Sequence, residues 1–108
     1  MQMPNRNFDD AVAGIYRDAS AIGVRLPRLI QLLHEYGGVE TVRRLIFADS
    51  EYTSGFVKLF EAGRSDLTLE AVIVDNREFH TLFTDEEMRE FRRHLFSIQY
   101  RNVEDPGD

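Results

Sequence analysis

Arg64, Asp66 and Glu70 fall within the segment EAGRSDLTLE at residues 61–70. A guanidinium close in sequence to two carboxylates is the kind of set that holds an anion or moves a proton. The same residues also suit a joint between two helices. Gly63 can adopt the left-handed C-cap conformation, and Arg64 can reach the carbonyl end of the preceding helix. Thr68 and Asp66 offer acceptors to the first amides of the next helix, where Glu70 sits near the positive end of the dipole. Capping gives each polar residue a structural job. The segment is therefore read as a joint, with Arg64, Asp66 and Glu70 kept as the candidate polar cluster.

Two of the three histidines offer a second constellation. Glu90 and His94 are one helical turn apart and could present two ligands on one face, with His80 as a third. Surface charge pairing explains that spacing without an ion. There is no cysteine, which removes disulfides, thiolate metal sites and cysteine nucleophiles. No Gly-x-Ser-x-Gly turn is present for a serine nucleophile. Gly14–Ile15–Tyr16 and Tyr36–Gly37–Gly38 look like the two tripeptides of GIY-YIG nucleases, but both lie in or beside helical patterns. The only lysine, Lys58, follows Phe56 by two residues, so the Glu-x-Lys of a restriction-type core is missing. The stretch LLHEYGGVETVRRLI has some helix-turn-helix character centred on Arg43 and Arg44, yet it places Arg44 where an apolar anchor belongs. No catalytic residue, metal ligand or cofactor site is assigned.

Helices must position these groups. Phe8, Val12, Ile15, Tyr16, Ala19 and Ile22 recur at three-and-four spacing, with Asn7 as the expected N-cap and Gly23 as the stop. In LPRLIQLLHEYGG, Pro27 near the first turn and the glycine pair beyond the last mark a second, central helix. Its apolar members, Leu26 to Tyr36, cover a wide arc of roughly 160°. VETVRRLIFA continues with Val39, Val42, Leu45 and Ile46 inward. DSEYTSG breaks the pattern, after which Phe56, Val57, Leu59 and Phe60 form a short helix ending at Gly63. Leu67 to Val74 is ambiguous by period, but Thr68 as a cap and a Leu67–Val72 staple favour helix. The last helix opens on a Thr84–Glu87 capping box and a Phe83–Met88 staple, and its inner stripe is Met88, Phe91, Leu95 and Ile98. These signals define an all-α, compact single-domain bundle of about five to six short helices spanning 1–108, with 1–6 and 102–108 as flexible ends.

Phe96 lies roughly 120° from the centre of that inner stripe, with Arg92 between. A large aromatic placed there is either a second buried contact or an exposed anchor. Arg92, Arg93 and Phe96 are the candidate residues for binding a protein partner.

Tyr36–Gly38, Ser54–Phe56, Gly63–Glu70 and Glu78–Phe83 together resemble, in their order, a small uncharacterised bacterial all-helical domain with a Gly-Arg-x-Asp-Leu-Thr-x-Glu motif. The resemblance covers about half of the chain, and Ser65 stands where the pattern has leucine. It implies a bacterial or phage-related source and brings no activity, cofactor or site residue.

The formal net charge of −6 is concentrated in the second half, where residues 51–108 hold seven basic residues against thirteen acids. Such a balance repels phosphate backbones. No apolar run approaches the roughly 20 residues of a membrane span, and an acidic pair occupies the place of a signal-peptide core. The expectation is a cytoplasmic, non-enzymatic helical module that binds another protein or a second copy of itself. The alternatives are a nucleic-acid-associated accessory factor, for example in phage defence, and an enzyme with its site near Arg64, Asp66 and Glu70.

Overall fold

The three-and-four pattern from Phe8 folds as α1 (Arg6–Ala21), which buries Phe8, Val12, Ile15 and Ala19. The computed structural model describes residues 6–48, 50–101 and 103–104. Most of the two expected flexible ends therefore lies outside the described residues. Helix α1 already includes Arg6, so Asn7 is part of its first turn and does not cap it. Its far end is a Schellman turn: Gly23 has φ +85°, and the Val24 amide donates to the Ala19 carbonyl at 2.9 Å. Ile22, expected on the inner face, is exposed beside this turn.

Helix α2 (Pro27–Tyr36) buries Leu29 and Leu32. Tyr36 is not inward as its spacing suggests. It is exposed, with the Arg44 guanidinium 3.9 Å from its ring centroid. Helix α3 (Gly38–Ala48) starts one residue after the bend at Gly37. Gly38 is required by close approach, because a Cβ there would lie 2.7 Å from the Phe8 ring. Its amide donates to Asp9 Oδ1 at 2.7 Å, so the first turn of α1 caps the start of α3.

The expected break at DSEYTSG is helical from Ser50 on, within α4 (Ser50–Glu61), while Asp49 lies outside the described residues. Packing overrides the weak helix propensity of this stretch: Tyr52 is buried, and Gly55 lets α4 close onto Leu26, with which any Cβ at that position would collide. The longer helix leaves Val57 and Phe60 on an exposed side. A second Schellman turn ends α4, with Gly63 at φ +72° and the Arg64 amide bonded to the Leu59 carbonyl at 2.8 Å.

A 3-10 turn (Ser65–Leu67) leads into α5 (Leu69–Asp75), and a 3-10 segment (Arg77–Leu82) leads into α6 (Asp85–Ser97). At seven residues α5 is too short to persist alone. It is held by burial of Leu69, Ala71 and Ile73 and by the Thr68 cap. The capping box of α6 forms as expected, with Thr84 and Glu87 bonded reciprocally. A third Schellman turn closes α6, this time with Gln99 at φ 55° where α1 and α4 use glycine.

An aromatic file ties the ends of the chain together. Phe8 meets the edges of Phe79 and Phe83 at centroid distances of 5.0 and 5.6 Å, and Phe83 meets Phe91 at 5.2 Å. The result is an all-α globule with a radius of gyration of 13.0 Å, the compactness expected for about 100 residues. Among the described residues no helix is long and apolar enough to cross a membrane.

Candidate functional site

The candidate polar cluster separates into two environments. Arg64 and Asp66 pair with each other in a forked contact at 3.0 and 3.1 Å on the surface of the joint. The Arg64 guanidinium holds the Asp66 carboxyl below its ordinary range. Neither side chain caps a helix as the sequence suggested. The backbone of Gly63 and Arg64 closes α4, and Thr68 is the residue of this segment whose side chain caps α5, accepting from the Ala71 amide at 3.2 Å.

Glu70 faces the other way. It is 1% exposed, and its two oxygens have different partners. The Tyr52 hydroxyl donates to Oε1 at 2.7 Å, and His94 Nδ1 lies 2.8 Å from Oε2. Tyr52 also accepts from the Leu69 amide at 3.0 Å, adding a second cap to α5. Burial, reinforced by the Glu70 carboxylate, keeps the Tyr52 phenol well above its ordinary range, so it remains a donor. The His94 Nε2 is 3.6 Å from Glu90 on the outer side. Sequence reasoning placed Glu90 beside His94 and singled out Glu70, but it missed Tyr52, which lay in the stretch read as a break, and did not join Glu70 to His94.

A carboxylate-oriented imidazole is a component of acid–base catalysis, where its free nitrogen meets a nucleophile or substrate. Here both ring nitrogens face carboxylates. Because Glu70 and Glu90 address opposite edges of the ring, they do not converge on one ion. Among the described residues no group of three or more histidine, aspartate or glutamate side chains is placed to hold a metal. His80 is elsewhere, its Nε2 3.0 Å from the Val74 carbonyl. The network is a tether joining α4, α5 and α6.

The two arginines of the helix-turn-helix-like stretch also have partners. Arg43 forms a fork with Glu87 at 2.7 and 3.1 Å, while Arg44 pairs with Glu40 at 3.2 Å and stacks on Tyr36.

The outer face of α6 differs from both regions. Phe96 is 39% exposed, so it is not a second core contact. At about 100° per residue, Arg89 and Arg92 lie within roughly 20° and 40° of it on the helix surface. Neither arginine makes an ion pair with a described residue, whereas Arg93, the other expected contact, pairs with Glu90. Arg89 was overlooked because its relation to Phe96 is a seven-residue step. Beside this strip lies a shallow depression lined by His80, Asp85, Met88, Arg89 and Arg92. No family model matches the chain, and neither a curated protein nor a solved structure is significantly similar to it.

Proposed function

We propose that this chain is a non-enzymatic helical interaction module whose contact surface is the outer face of α6. The observation that carries the reading is Phe96, a partly exposed aromatic beside Arg89 and Arg92, neither of which makes an ion pair with a described residue. Arginine and large aromatics are the residue types that dominate binding energy at protein interfaces. The buried Glu70, with Tyr52 and His94, by contrast, is used in holding helices together. The module acts as a regulator or accessory in a larger assembly, and its cysteine-free composition suits a reducing cytoplasm. The acidic balance and the paired state of Arg43 and Arg44 favour a protein over a nucleic acid as partner.

The test compares wild type with Phe96→Asp in native cells and in sizing experiments. The variant should melt at the same temperature as wild type and lose the associated protein or self-association. A wild-type chain that is a monodisperse monomer, with no protein enriched over the variant, would refute the reading.

A further inference from the structure

A cleft of about 220 Å³ opens between the start of α2 with the connection before it, α3 and α4, and shares no lining residue with α6. Its floor includes the side chains of Leu29, Leu45 and Tyr52, all nearly buried. Its rim carries Arg25, Arg28 and Lys58, and none of the described residues lining it is acidic. In a chain of net charge −6, this gathers three of the thirteen basic residues around one opening. Arg25 and Lys58 make no ion pair with a described residue.

We infer that this cleft is a docking site for an acidic peptide segment that inserts one bulky apolar side chain. Three cations at the mouth of a low-dielectric hollow focus a positive field, which attracts carboxylates and opposes basic segments. The Arg25 fork suits carboxylates in particular. The floor calls for more than charge: Leu29 and Leu45 are already almost closed to water, so an apolar occupant gains by van der Waals contact across the hollow. Size narrows the choice. Small-molecule and cofactor sites are roughly 300–1,000 Å³, and this cleft holds less, in keeping with a single anchoring side chain. A nucleic acid is disfavoured because Tyr52, the only aromatic lining residue, is 5% exposed and offers no open face for stacking a base. This site shares no residue with the α6 face and does not depend on its role.

The test is a selection from a random dodecapeptide display library on the full chain, followed by fluorescence anisotropy with the enriched peptides. They should combine aspartate or glutamate with one aromatic or large aliphatic residue. Affinity should fall at least about tenfold for Arg25→Glu/Lys58→Glu. It should fall similarly for Ser54→Trp, which fills the cleft from the exposed side of α4, and on replacing the peptide's anchor with alanine. Thermal melts matching wild type establish that both variants are folded. The inference is overturned if no acidic peptides are enriched, or if those enriched bind the folded charge-reversal variant within about twofold of wild type. It is equally overturned if the anchor can be removed without loss and inorganic phosphate competes, since the cleft would then be a simple anion site. Binding to Phe96→Asp should be unchanged, which separates this result from the fate of the α6 surface.

Discussion

Glu87 and Glu70 both fasten α6 to the rest of the molecule, one at its first turn and the other through His94 near its end. Glu87 sits at the rim, where the Arg43 fork and the Thr84 amide satisfy it while water still reaches the pair. Glu70 is enclosed, and its bonds go to a phenol and an imidazole. An arginine is always charged, whereas the charge of a histidine depends on pH. The strength of such a tether is set less by its formal charge than by what is left behind when one partner goes. At the rim, water replaces the lost partner. In the interior nothing does, and a single hydroxyl serves two buried groups.

The comparison is tested most severely by Tyr52→Phe. That change leaves both the Glu70 carboxylate and the Leu69 amide short of a partner in the interior, and should reduce stability by about 3 kcal/mol. Urea unfolding would measure it, and a loss below about 1 kcal/mol would show that the interior tether is no stronger than the rim one.

Glu87→Gln should cost about 1 kcal/mol at neutral pH. The Arg43 hydrogen bonds hold the Glu87 carboxyl below its ordinary range. Its contribution is therefore complete above the unfolded-state value, roughly pH 4.3, and is lost as pH falls through the lower folded value. The difference in melting temperature between wild type and variant should accordingly shrink on acidification and disappear once Glu87 is protonated in both states. A gap that stays constant with pH would remove the charge from the explanation.

Arg64→Ala should change stability least, because its pair with Asp66 is exposed. Its measurable effect is local. An NMR titration should show the Asp66 carboxyl returning upward toward the ordinary aspartate range, and an unmoved titration would deny the pairing.

Local signals were legible in the sequence, and contacts distant in sequence were not. The capping box at Thr84 and Glu87, the Thr68 cap and the glycine stops at Gly23 and Gly63 each depend on neighbours within a few residues. They identified the ends of α1, α4, α5 and α6. The start of α4 was misread because the reason for its helix is tertiary: Tyr52 has its partners in α5, and Gly55 has its partner in the approach to α2. Helical spacing placed Glu70 in a first turn but said nothing about what faced it. The same limit explains Tyr36, whose position on an apolar arc did not reveal that Arg44 would cover its ring. Phe96 was singled out by its angle from the core stripe, while the choice between burial and exposure needed its surroundings.

The bond between the Gly38 amide and Asp9 has a practical side. The carboxylate near the beginning of the polypeptide holds the opening turn of a helix twenty-nine residues downstream, so shortening the amino-terminal helix, or splicing a carrier onto it past Asp9, would unsettle the middle of the molecule first. Amide exchange at Gly38 is thus a local reporter of any disturbance to that distant terminus.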